Sequence, residues 1–435
     1  MNLNGLSFNA LPPIDLPFRF FLTAPVFVIL CAFIILFSNE FLWFSRWQPA
    51  MLSVVHGFTL GFITMIMMGA MLQLLPVIGG VGITKPRQIA LFSHVGLVLG
   101  TLSLMSNFLW PSTMLTIMSM LLLTLSLGIY IVALGLVLFK KLSQGYSIIA
   151  FRFSISALVI TVLLGVLLLN NLLPVSNEIF GLIPYFPGKS LTNMHAIFGL
   201  VGWGSMMIVS VSFQVIPMFH VAPNFSKYIS NLLPKGLFIS LFVFIYKPEF
   251  ALPTMVLFHG IFALSLLDII SKRKRKVPDN TILYWQLAAV SLIVFVVLFF
   301  LPESILPDFF SKNKTVLLAA LFIYFYLVAV IQGMLLKILP FLSYTHLQQK
   351  CLLNFAAMQF LPHMHEFLNK SHGKWLFYLH LLTGLLLFST IISPDLYWLF
   401  SLSLIVEFSW LLFLMIKTMR LYSFIHQKIN SLGNE

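Results

Sequence analysis

SVVHGFTLGFITMIMMGAMLQLLPVIGGVGITK, Ser53 to Lys85, is the stretch that decides how this chain is built. It is apolar for longer than the roughly 20 residues a helix needs to cross a bilayer. It also carries His56 near its start, and a polar ring in such a run needs a reason. The stretch closes on Gln73-Leu74-Leu75-Pro76-Val77-Ile78, and a related phrase, Gln214-Val215-Ile216-Pro217-Met218-Phe219, closes a later apolar run. A looser third copy is Lys337-Ile338-Leu339-Pro340-Phe341-Leu342. Aligning the phrases superposes Gly61 on Gly202, Met65 on Met206 and Gly69 on Gly333. Internal repeats of this kind set the whole architecture.

Composition agrees with a membrane solvent. Sixty per cent of the residues are apolar and 9% charged, and the mean hydropathy is +1.01, which excludes a soluble domain. In lipid each backbone N–H and C=O must be bonded within its own segment, so the apolar runs are expected to be helices. The N-terminal residues lack the pattern of a secretory signal. Cys31 and Cys351 fall in different elements and suggest no disulfide framework.

Twelve spans are expected, at about 19–38, 51–79, 88–109, 113–139, 148–173, 190–219, 226–246, 249–270, 281–300, 314–342, 374–392 and 395–418. The fold class is therefore all-α, a single polytopic transmembrane domain over residues 1–435. With both termini on one side, that side collects 20 of the 25 basic residues, including Lys272-Arg273-Lys274-Arg275-Lys276. The positive-inside bias puts it in the cytoplasm, in a bacterial-type inner membrane. The net charge of +13 is thus explained by topology and lipid headgroups, with no nucleic-acid partner. Pro174–Lys189, with Tyr185-Phe186-Pro187, reads as an interfacial segment on the outside. Ser343–Gly373 reads as a cytoplasmic amphipathic segment lying against the bundle.

The three marked spans are the second, sixth and tenth. Four helices separate each from the next, and an even number preserves orientation, so the copies are parallel. Inverted repeats need an odd number, and a six-plus-six duplication would place copies half a chain apart. Neither fits. Three pseudo-symmetric four-helix quartets do.

Twelve helices in three parallel quartets, with the second, sixth and tenth innermost, resemble subunit I of the haem–copper oxidases. The chain is also similar to the NnrS family of haem- and copper-containing membrane proteins. By placement, the resemblance implies that His56 matches a haem-ligand position and His195 the copper-ligand helix. It departs elsewhere. The paired histidines of the seventh helix are missing from Lys235–Tyr246, and the tenth-helix His-x-His is missing from Val316–Leu336. Gly199 stands where the oxidases place a tyrosine, and the only His-x-His, His363-Met364-His365, lies beyond the tenth span. The resemblance therefore implies haem or copper without a complete oxygen-reducing centre.

Ionisable residues inside spans are functional candidates by default. His56 and His195 are the candidate cofactor ligands, against a packing role bonded to a neighbouring carbonyl. They differ by two positions in the repeat, about 200° of helix rotation, so a shared ligand is not assured. His259, His94 and His380 read as packed, bonded histidines. Glu407 is the one carboxylate deep in a span, either protonated and hydrogen-bonded or part of a proton path. His346, His363 and His365 are candidate metal ligands on the cytoplasmic side, though their spacing matches no zinc signature. The glycines of the repeats allow close helix packing, or leave room for a flat macrocycle. Pro76, Pro217 and Pro340 suit a structural end-stop or an ion site.

The function that follows is a haem- or copper-binding membrane protein with a redox, nitric-oxide-response or cofactor-handling role and an electron-transfer partner. It is not expected to be a self-sufficient terminal oxidase. One alternative is a permease with Glu407, His259, Gln73, Gln214 and Lys337 along its route. Another is a structural subunit of a respiratory complex.

Overall fold

The computed structural model describes residues 12–80, 82–140, 145–173, 188–352 and 355–431. Among them are twelve helices long and apolar enough to span a membrane. In chain order these are α1 (Asp15–Ser38), α2 (Pro49–Val77), α3 (Pro86–Leu109), α4 (Thr113–Leu138), α5 (Tyr146–Asn170) and α6 (Gly188–His220). The second half holds α7 (Lys227–Tyr246), α8 (Pro248–Ser271), α9 (Asn280–Phe300), α10 (Asp308–Cys351), α11 (Lys370–Ile392) and α12 (Tyr397–Ser431). Prolines sit in the first turn of α2, α3 and α8, where the missing N–H has no intrahelical partner to lose. α2 ends on Gly80, whose φ of 64° is the left-handed cap that glycine adopts without a Cβ penalty.

Three helices lie inside the other nine. In α2, α6 and α10, 83, 72 and 78% of the central window is buried, against 28 to 50% in every other span. These are the three helices that carry the repeated phrase. α1 closes the outer ring against α12, with Ser401 donating to the Ala32 carbonyl at 2.5 Å and the Tyr397 hydroxyl to Asn39 at 3.0 Å. α1 also packs on the glycine face of α2. A Cβ at Gly61 would stand 2.3 Å from Phe27, one at Gly57 2.2 Å from the Cys31 sulfur, and one at Gly69 2.8 Å from Phe20. The macrocycle-sized space suggested by these glycines is therefore filled by α1.

The repeat is also written in the backbone. Each inner helix passes through a π-helical segment, at Gly57–Thr64, Phe198–Ser205 and Ile323–Val328. Their last residues, Thr64, Ser205 and Val328, are equivalent in the alignment of the three phrases. A π turn inserts one extra residue per bulge and is most often found near functional sites.

The prolines do not end the helices. α2 and α6 continue a turn past Pro76 and Pro217, and α10 runs eleven residues past Pro340 to Cys351. Leu347 and Cys351 are fully buried on this extension, and that packing sustains the helix. The amphipathic segment expected at Ser343–Gly373 is thus shared out: its first part extends α10, its middle holds short turns at Phe355–Phe360 and Met364–Glu366, and its last residues open α11. The interfacial segment expected at Pro174–Lys189 lies outside the described residues except for its last two positions.

Candidate functional site

His56 and His195 each lie seven residues in from the start of their helix, on the face of the bundle away from the chain termini. The two rings face each other, with centroids 6.2 Å apart and planes within 21°. Their offset in the repeat explains this. In helices related by rotation about a common axis, equivalent positions point the same way around the ring. Residues that meet across one junction must therefore be non-equivalent, and 200° of rotation does that.

Each ring is held by one nitrogen. His56 Nδ1 donates to the Leu52 carbonyl at 2.8 Å, and His195 Nδ1 to the Thr161 carbonyl on α5 at 3.1 Å. A carbonyl can only accept, so both rings carry their hydrogen on Nδ1 and present a bare Nε2. The His195 ring rests on Gly165 of α5, where a Cβ would lie 3.2 Å from Cε1. Phe108 of α3 flanks His56 at 5.1 Å between ring centres. A cavity of about 270 Å³ lies behind the two residues that hold and flank His56, lined by Leu52, Phe108, Asn107, Thr116 and neighbours but by neither histidine.

At the level of the π segments the inner helices are stitched together. Trp203 Nε1 donates to Thr64 Oγ1 at 3.0 Å, joining α6 to α2. Ser205 Oγ lies 3.0 Å from the Tyr326 hydroxyl of α10 and 2.8 Å from His259 Nε2 of α8. His259 Nδ1 donates to the Met255 carbonyl at 2.7 Å, so Nε2 accepts from Ser205 and Ser205 accepts from Tyr326. Both nitrogens of His259 are engaged. His94 is bonded to Thr23 at 2.9 Å.

Glu407 sits at a second polar cluster, fully buried. Its Oε1 receives His380 Nδ1 at 2.8 Å and Gln332 Nε2 at 2.6 Å. Its Oε2 lies 2.5 Å from the Tyr324 hydroxyl. Tyr284 donates to the Gln332 carbonyl oxygen at 3.1 Å, which fixes that amide with its NH2 toward Glu407. Sequence reasoning singled out Glu407 but left it without partners. They come from α10 and α11, and the available signal was a second set of polar residues, Gln332 and His380, inside apolar runs.

At the terminal face, Lys337 Nζ donates to Asp279 Oδ2 at 2.6 Å, and His220 Nδ1 stands 3.8 Å from the same oxygen. Burial by itself raises the Asp279 carboxyl, but Lys337 and His220 prevail and hold it below its usual value. The pair borders a small pocket of about 50 Å³ with Arg275, His365 and Lys370. The repeat equivalents of Lys337 behave differently: Gln73 is buried with an unpartnered Oε1, and Gln214 is half-buried.

The candidate cytoplasmic ligands are not gathered. His346 Nδ1 is taken by the Tyr422 hydroxyl at 2.7 Å, and His363 caps a turn through Glu366. Among the described residues no three His, Cys, Asp or Glu side chains are close enough to hold a metal ion. His346, His363 and His365 therefore gain no support as a metal site. Lys350 instead contacts His426, and Asp268 forms a helical ion pair with Lys272 at 2.7 Å.

Fold and polar interior define the class: a twelve-span, multi-pass membrane protein with three enclosed helices. Beyond that class, no family model matches the chain, and no curated protein matches it.

Proposed function

We propose that the chain is a membrane-embedded haem- or copper-binding protein on the oxidase-subunit-I-like plan, with His56 and His195 as imidazole ligands through Nε2. The observation that carries this is the facing pair with two bare Nε2 atoms. Haem or copper held there would take its imidazole nitrogens from these two rings, whose centres stand 6.2 Å apart. The carbonyls of Leu52 and Thr161 act as the outer hydrogen-bond partners that fix tautomer and orientation of ligating histidines.

Bound there, haem or copper supplies a one-electron redox couple near one face of the membrane. The protein's part is to hold the rings, with Phe108 shielding one side and Gly165 admitting His195 on the other. In this reading the termini face the cytoplasm of a bacterial-type inner membrane, as the basic residues suggest.

The test is the absorption spectrum and metal content of purified wild type, His56→Ala and His195→Ala. Wild type should carry a Soret band or copper, and each substitution should abolish it or reduce affinity by at least the 10- to 100-fold typical of disturbing such a site. A colourless, metal-free wild type that takes up neither haem nor copper sinks the proposal and leaves the pair a packing role.

A further inference from the structure

Glu407 is surrounded by donors. His380 and Gln332 donate to its Oε1, Gln332 being oriented by Tyr284, and the Tyr324 hydroxyl lies 2.5 Å from its Oε2 and 3.2 Å from the His380 carbonyl. With Tyr324 turned to the nearer acceptor, Glu407 accepts from three donors, as an ionised carboxylate does. A buried carboxylate is costly unless a cation pairs with it. No lysine or arginine contacts it. The one group able to become that cation is His380, with 0% exposure and its Nδ1 already on Oε1. His380 Nε2 is buried and has no hydrogen-bond partner. An unsatisfied ring nitrogen in the middle of a span is a place for a proton.

Between the cluster and the terminal face, two helices carry further polar residues. On α9, Tyr284 is five residues from Asp279; on α10, Gln332 is five residues from Lys337. Each step is about 7.5 Å of helix rise. At the upper level the pair is Tyr284–Gln332, and at the lower it is Asp279–Lys337, beside the pocket at the terminal face. Thr281, between the levels, donates to the Gly333 carbonyl at 3.1 Å. On the other side, Phe408 next to Glu407 is walled in by Phe58 and Phe62 of α2.

We propose that Glu407 and His380 form a proton-binding site, loaded at His380 Nε2 from the terminal face by way of Asp279–Lys337 and Tyr284–Gln332. The proton comes from water at that face and forms an N–H bond on Nε2. The pair passes from a net charge of minus one to zero, with Glu407 remaining the counter-ion. The groups facing it are Tyr284 from α9, Tyr324 and Gln332 from α10 and Thr383 from α11. The site stands apart from the His56–His195 pair and does not depend on a cofactor there.

The experiment is nitrogen NMR of protein labelled with 15N-histidine, with His380 assigned by its loss in His380→Gln. Over roughly pH 4 to 10, wild-type Nε2 should move from the bare-nitrogen position to the imidazolium position as pH falls. In Glu407→Gln that change should be lost, while the other histidine signals stay in place and report an intact fold. A His380 that stays neutral throughout, or titrates identically in Glu407→Gln, overturns the site. With the protein reconstituted in one orientation, a pH step at the terminal face should move the signal, and a step at the opposite face should not. A response from the opposite face alone overturns the assigned entry.

Discussion

Gly333 shows how little slack the inner helices have. A Cβ there would stand 2.5 Å from the Cβ of Tyr284, an atom anchored to its own backbone that cannot turn aside. Gly333→Ala is expected to destabilise the protein by about 1–3 kcal/mol, the usual range for overpacking, and to displace Tyr284 from Gln332. Thermal unfolding in detergent measures the first effect. Asp279 gives a pH-dependent counterpart. Its folded-state value lies below the unfolded one, so its contribution is present above the unfolded value and fades as pH falls through the folded value. Asp279→Asn should therefore be less stable than wild type near neutrality, and the two should converge in acid. Unfolding temperatures that differ by the same amount at every pH would contradict that account.

At the scale of the element, each π segment takes up one extra residue without turning the rest of its helix. Removing one residue from Gly57–Thr64 should let the segment revert to α geometry with Pro49–His56 still in phase, whereas one residue lost from the α-helical Met65–Gly79 turns everything before it by about 100°. Spin labels at Ala50 and Lys189 should therefore keep their distance in a Leu60 deletion and change it in an Ile66 deletion. A changed distance in the Leu60 deletion would contradict this account. The twelve helices were legible in the sequence because lipid leaves an apolar run no other fold, and the three proline phrases marked the enclosed helices correctly. The π segments left no compositional trace. The facing of His56 and His195 was hidden because equal repeat register seemed the condition for contact, when rotation about an axis requires the opposite. The length of α10 was misjudged at Pro340, because burial of Leu347 and Cys351 outweighs one missing hydrogen bond. Glu407's partners were out of reach because they lie 27 to 83 residues away on two other helices.

For the whole molecule, twelve crossings put the start of α1 and the end of α12 on one face, and the 20-to-5 distribution of basic residues is the ground on which that face is proposed to be cytoplasmic. Reporter fusions at Lys274, and at Lys141 beyond the described residues, should report the cytoplasm, and one at Lys312 the periplasm. A reversed pattern at two of the three would overturn the orientation. Three inner helices make three junctions, yet the residues at them have diverged. Only α2 and α6 bring two imidazoles together; α6 and α10 meet through Ser205 and Tyr326. Three identical quartets would carry either three such centres or none. Stoichiometry thus records the loss of symmetry: a loaded preparation should saturate at one group per chain, however closely its three quartets resemble one another in outline.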